Sequence, residues 1–264
     1  MVLYPKMKKS LGNYFLTLLS VLRISHVNGK DWFACDSVFK TFFDNPEVWK
    51  KKPPKGSKML RTRALAVTND ELDTDKMEIH SKYNDEISFV YQMKPFSQLP
   101  ESVKQWYQNA FKSLNVRKNI RDEVSKYTVD VGLHIRTFKA SFNDGANNEQ
   151  SWKLHKEFSK YLDEFRNVIR NQGEIFLCCD DIEVIENLRG DFPNIRTYER
   201  NNSLSDIEND FVEFLILSKC RKLYGTYFST FSDVCYLISE NVVEYTSIPV
   251  DYEPLLDEIK RIIN

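Results

Sequence analysis

The sequence contains neither a GxxxxGKS/GxxxxGKT run nor a GxGxxG run. Those glycine patterns cradle nucleotide phosphates in P-loop kinases and in dehydrogenases, so both classes are disfavoured. No apolar run is long enough to cross a bilayer. The stretch 14–22, preceded by Lys6, Lys8 and Lys9, stops at Arg23 with no small-x-small cleavage site behind it. A soluble, cytoplasmic protein without a membrane span is expected. The net charge of -1 argues against a nucleic-acid partner held by general electrostatic attraction. The five cysteines (Cys35, Cys178, Cys179, Cys220 and Cys235) form no CxxC pair and no zinc spacing. They read as buried free thiols in a reducing compartment. Among the four histidines only His134 falls at a strand end, which leaves a Cys/His or Ser/His hydrolase without support. No internal repeat or low-complexity segment is found.

What is present is a chain of 264 residues, 42% hydrophobic and 28% charged, enough to bury a core in one large or two compact domains. From position 129 onward the pattern is regular. Strand-like segments at 129–135, 174–179, 195–198, 222–225 and 242–245 alternate with helical ones from about 149, 181, 210, 232 and 252. That alternation predicts a doubly wound parallel sheet in an α/β protein. The first half is less regular. It offers a strand at 2–4, a helix from an Asn13 cap to about His26 stopped by Gly29, and a second strand at 31–35. A loop-like stretch at 44–85, a strand at 89–93 and helices over 101–114 and on to about 126 follow. The boundary is placed near 127, giving domains 1–127 and 128–264.

Candidate chemistry gathers at loops. The strand 129–135 presents His134 and Arg136 to one side, and a guanidinium at a parallel strand's carboxyl end suits an anion. A structural ion pair is the competing reading. In 9–13 a glycine precedes a helix N-terminus, where free N–H groups and the helix dipole favour an anion. Asp180, directly after a strand, suits a ribose hydroxyl or a helix cap. Ser229, Thr230 and Ser232 crowd another helix start and could cradle a phosphate. Phe228 or Phe231 could stack on a base or enter the core. Asp73-Thr-Asp75 has the letters of a metal-binding Asp-x-Asp, in a polar, loop-like setting that argues against a metal-dependent transferase.

These motifs resemble those of the fucosyltransferase-like enzymes. Leu11-Gly-Asn13 is similar to their Gly-Leu-Gly-Asn-Gln opening, and Val131-Gly-Leu-His-Ile-Arg136 to their His-x-Arg strand. Phe176-Leu-Cys-Cys-Asp-Asp181 resembles their Ala-Thr-Asp-Asp strand end. Phe214-Leu-Ile-Leu-Ser-Lys-Cys220 with Ser229-Thr-Phe-Ser232 resembles their last block. The resemblance implies a GT-B fold: two Rossmann-like domains with parallel sheets facing across a cleft. It also implies an inverting, metal-independent glycosyltransferase with no cofactor beyond its nucleotide-sugar co-substrate. GDP-fucose is the family's usual donor, and an oligosaccharide or glycoprotein glycan would be the acceptor. Arg136 would hold the β-phosphate, His134 the donor, and Gly12 and Asn13 would close on the phosphates. Asp180, Ser229, Thr230, Phe231 and Ser232 would complete the nucleotide site, and the family's base- or ribose-contacting acid falls on Glu213, with Asp210 one turn earlier as the alternative. Asp144, eight residues past Arg136, stands where some relatives carry an acid that could serve as the base. Tyr14 replaces the family's Gln, Ser10 its first Gly, and Thr137-Phe138 the usual residues after His-x-Arg. Another donor such as UDP-xylose, or a non-catalytic nucleotide- or glycan-binding module, therefore stays open.

Overall fold

The computed structural model describes residues 3–5, 10–27, 29, 31–52, 55, 58–64, 80–83, 86–91, 101–137, 148–251 and 253–255. The first part runs β1 (Leu3–Pro5), α1 (Leu11–Val27), α2 (Ser37–Phe42), β2 (Lys58–Ala64), β3 (His80–Tyr83), β4 (Glu86–Tyr91), α3 (Glu101–Lys112) and α4 (Lys118–Val124). The second runs β5 (Val131–Ile135), α5 (Asn148–Ser159), α6 (Leu162–Arg170), β6 (Ile175–Cys179), α7 (Ile182–Asp191), β7 (Ile195–Arg196), α8 (Asp206–Lys219), β8 (Lys222–Thr226), α9 (Thr230–Ile238) and β9 (Glu244–Ile248). No described helix is long and apolar enough to cross a membrane.

The second sheet, ordered β7-β6-β5-β8-β9, is parallel throughout. The chain leaves β5 in one direction for β6 and β7, then returns to place β8 on the other side. The strand order therefore reverses between β5 and β8, and in open α/β sheets the crevice at such a reversal, at the carboxyl ends, receives ligands. The first sheet, ordered β1-β2-β4-β3, is parallel across β1, β2 and β4, but β3 runs antiparallel on its edge. The expectation of purely parallel sheets is corrected there.

Three local readings are also corrected. Residues 31–35 are not a strand: Phe33 and Ala34 are buried, yet the backbone makes only an isolated bridge from Ala34 to Trp49. The strand next to β1 is β2, inside the stretch read as loop. The single long helix expected from 149 is two, because the chain turns at Tyr161 (φ -100°, ψ 5°). Leu154 and Phe158 then pack with Tyr227 and Leu255, while Phe165 and Ile169 enter a different cluster with Leu133, Ile135 and Leu177. Helix α8 starts before the expected position 210, because Glu208 accepts the Ser205 N–H at 2.9 Å and its hydroxyl at 2.6 Å, the reach-back of a capping box.

One apolar cluster holds residues from both sides of position 127. Phe15 of α1 stacks on Phe211 and Phe214 of α8 at 5.0 and 4.9 Å, and Phe42 of α2 lies 4.4 Å from Phe211. Such pairs add to the area they bury, each by ~0.5–1.5 kcal/mol. Polar contacts follow the same seam: the Lys104 ammonium donates to the Val242 carbonyl at 3.3 Å, and the Gln108 amide to that of Ser239. The N-terminus of α1 is thereby fixed against the top of α8 and α9.

Candidate functional site

At the carboxyl edge, Ile135 is level with Cys179 of β6 and His134 with Gly225 of β8. The loops after β5, β6 and β8 therefore lie side by side, as their positions behind strands of one sheet predict. Thr226 stitches two of them together. Its hydroxyl accepts the Arg136 N–H at 2.8 Å and donates to the His134 carbonyl at 3.1 Å. A side chain thus continues the β5–β8 pairing by one residue and fixes the backbone of Arg136.

The Arg136 guanidinium is half-buried, with Nη1 2.7 Å from Oδ2 of Asp180. The structural ion pair weighed against an anion site is thus present. The approach is close but not in line, and that oxygen receives no aligned hydrogen bond among the described residues. Asp180 does not cap the next helix. Asp181 does, accepting the Glu183 N–H at 3.1 Å. Oδ1 of Asp180 instead accepts the N–H and the hydroxyl of Thr137 at 2.7 and 3.0 Å. The carbonyl of Thr137 lies 2.7 Å from Nδ1 of His155 on α5, and since a carbonyl only accepts, that nitrogen carries the proton.

His134 is fully enclosed, stacked on Phe231 with ring centroids 4.8 Å apart, and its Nδ1 has no partner among the described residues. A buried ring nitrogen without a partner costs ~1–3 kcal/mol. Phe231 in turn meets Phe214 edge-on at 5.2 Å, so its half-buried ring packs against the core.

The turn from β8 into α9 passes through Phe228 at φ 65°. A left-handed non-glycine residue of this kind costs on the order of 1–3 kcal/mol and tends to occur at functional sites. Ser229 is the N-cap residue of α9, though its side chain makes no capping bond. Ser232 is fully buried, donates to the Ser229 carbonyl at 3.3 Å, and packs on Gly225, where a Cβ would lie 2.5 Å from it. Its hydroxyl serves the turn itself.

Gly12 links the two halves of the site. A Cβ there would lie 2.6 Å from the Phe231 nitrogen and 2.7 Å from the Thr230 carbonyl carbon and Oγ1. The first turn of α1 therefore touches the first turn of α9. Asn13 is not the cap expected of it: α1 begins at Leu11, and the Ser10 hydroxyl accepts the Asn13 N–H at 3.4 Å. Two helix N-termini, each the positive end of its helix dipole, thus meet beside His134.

Glu213 sits on α8 beneath the same edge, near the Cys178 thiol and with Asp210 one turn earlier. Arg200 neutralises Asp210 at 2.9 Å. Asp144 and Asp73-Thr-Asp75 fall outside the described residues. Among the described residues no group of His, Cys, Asp or Glu side chains is arranged to hold a metal ion.

His134 and Glu213 pull stability in opposite directions with pH. Burial, and behind it the charge of Arg136, lowers the His134 pKa from 6.5 to about 3. Its contribution is present above pH 6.5 and lost as pH falls toward 3. Burial, then the charge of Asp210, raises Glu213 from 4.5 to about 7. Its contribution is complete below pH 4.5 and lost as pH rises through 7. Each slope is about 1.4 kcal/mol per pH unit, and the two oppose each other between those limits. Replacing Glu213 by Gln is expected to steepen the rise of Tm with pH between 4.5 and 6.5. It should also lift Tm above the parent's in mildly alkaline buffer. A melting curve parallel to the parent's across this range contradicts the assignment.

Sequence reasoning missed Thr226, Thr137 and His155. Thr137 directly follows Arg136, and Thr226 stands three residues before Ser229. His155 reaches the edge from a helix that carried no signal.

Neither a family model nor a curated protein matches the sequence. Among solved structures, the NodZ α-1,6-fucosyltransferase soaked with GDP-fucose is similar at 12% identity and a TM-score of 0.54, over 94% of this chain and 96% of that one. A second structure of fucosyltransferase NodZ, from Bradyrhizobium, is similar at 12% identity and a TM-score of 0.52, over 90% and 92%. At that identity the likeness is one of architecture, and the chain shares the fold of the NodZ fucosyltransferase along nearly its whole length.

Proposed function

We propose that the protein is a glycosyltransferase that moves a sugar from a nucleoside-diphosphate donor to a hydroxyl of an oligosaccharide or glycoprotein glycan, with inversion and without a metal. The observation that carries this reading is the meeting of the α1 and α9 N-termini at Gly12 and Thr230, beside Arg136 and the switch point of the parallel sheet. Positive helix ends and a guanidinium suit a diphosphate. His134, kept neutral by burial, offers its unmet nitrogen to a donor hydroxyl or phosphate. Glu213 would contact the base or ribose. Ser229 and Thr230 stand at the phosphate end, with Ser232 and Phe231 supporting them from within.

In the proposed reaction the acceptor oxygen attacks C1 of the sugar, and the bond from C1 to the β-phosphate oxygen breaks with its electron pair going to the diphosphate. Arg136 and the two helix ends stabilise that charge. The acceptor proton leaves to a base, for which Asp144 is the acid the sequence offers. GDP-fucose is the first donor to test, since the NodZ structure of the same fold was soaked with it. The departures at Tyr14 and Thr137 favour a second reading, the same chemistry with a donor such as UDP-xylose.

GDP, UDP, GDP-fucose and UDP-xylose, each with EDTA, form the test. A ligand at a hundred times its Kd adds about 2.7 kcal/mol, and about 2–4 °C per kcal/mol is expected for a chain of this size. One nucleotide should shift Tm, and its sugar form should release the diphosphate in EDTA. A shift without release indicates a binding module. Silence from all four sinks the reading.

A further inference from the structure

We infer that Asp180 is a positioning residue, acting on Arg136 rather than on a bound nucleotide; this rests on the reading of the edge as a diphosphate site. Its carboxylate is committed to the protein on both oxygens. Oδ1 accepts both the N–H and the hydroxyl of Thr137, at 2.7 and 3.0 Å. These two donors orient the carboxylate plane, and Oδ2 is thereby aimed at Arg136 Nη1, 2.7 Å away. Thr137 is itself anchored from the far side by His155, whose Nδ1 lies 2.7 Å from its carbonyl. The backbone of Arg136 is held separately by Thr226. The guanidinium is thus fixed at its root by β8 and at its head by β6.

A flexible arginine at a strand end visits many rotamers, and holding it in one of them before a ligand arrives removes that entropy cost from the reaction. The close, out-of-line approach to Oδ2 is what a charge-based orienter provides: attraction that draws the guanidinium to one side through charge rather than through an aligned hydrogen bond. A ribose ligand would need a carboxylate oxygen turned to solvent. Oδ1 is instead doubly occupied by Thr137, and the Asp180 side chain is only 12% exposed.

The test uses the full chain with Asp180→Asn and Asp180→Ala, both checked for folding by melting, and Thr137→Val as a variant that loosens the carboxylate without touching its charge. In ligand-free protein, phenylglyoxal labelling of Arg136, read by peptide mass spectrometry, should become severalfold faster in both Asp180 variants and rise less in Thr137→Val. With GDP-fucose as the probe, kcat should fall about tenfold to a hundredfold while KM stays nearly constant. Unchanged labelling in a folded Asp180→Ala overturns the inference. So does a raised KM at constant kcat, which would make Asp180 a ligand contact. If the parent protein neither binds GDP nor releases it, the transferase reading fails, and the labelling comparison still decides whether Asp180 holds Arg136.

Discussion

Replacing Arg136 by alanine is expected to lower donor turnover at least about a hundredfold, because removing one preorganised group from the developing charge typically costs ~2.7–4 kcal/mol. The substitution also leaves the Asp180 carboxylate without its countercharge, so some stability is lost as well. Melting temperature and turnover must therefore be read together. A folded variant with a modest drop in Tm and a collapse in kcat supports a role at the leaving group. A folded variant with parental turnover removes Arg136 from the chemistry. Lysine should not rescue: its ammonium is a point charge, whereas the guanidinium can meet Asp180 and a phosphate along separate N–H directions. Arg136→Lys is expected to keep most of the stability and little of the turnover.

The second large effect is expected at Gly12. An alanine Cβ there would meet backbone atoms, the Phe231 nitrogen at 2.6 Å and the Thr230 carbonyl carbon at 2.7 Å, which no side-chain rotamer can relieve. Either α1 or α9 must move. Overpacking of this kind costs ~1–3 kcal/mol, and the displaced part is the proposed phosphate cradle. Gly12→Ala should thus lower both Tm and GDP affinity, the latter more than tenfold if the two N-termini bind one diphosphate. Gly190, in the last turn of α7 with open space around its Cβ position, supplies the contrast. Alanine there should raise stability by ~0.4–1 kcal/mol, through helix propensity and a less flexible unfolded chain. Equal effects at the two glycines would show that close approach is not the reason for Gly12.

Much of the second sheet was legible because its strands are short apolar runs between helices of clear periodicity. β5, β6 and β8 fall within a residue or two of where the pattern puts them. The first sheet was harder. β2 reads Lys-Met-Leu-Arg-Thr-Arg-Ala, too charged to look like a strand between two parallel neighbours, while residues 31–35 look apolar because they pack on helices. Local pattern records that a segment is buried, and it does not record what the segment is buried against. The same limit applied to α9. Three hydroxyls at its start suggested a phosphate cradle, but one of them, Ser232, faces Gly225 and the Ser229 carbonyl.

The sequence by itself determined the α/β class, the order of strands and helices in the second half, and the strand ends, loops and helix start at which His134, Arg136, Asp180 and Thr230 stand. It did so because period and turn chemistry are local properties of the chain. Only the tertiary structure decided how those loops act on one another. Strand order placed the reversal between β5 and β8, packing of α1 on α8 and α9 brought Gly12 against Thr230, and register set Asp180 against Arg136. Each of these contacts joins residues far apart in the chain, and such distances are settled by the burial of faces against one another rather than by any residue's neighbours in sequence.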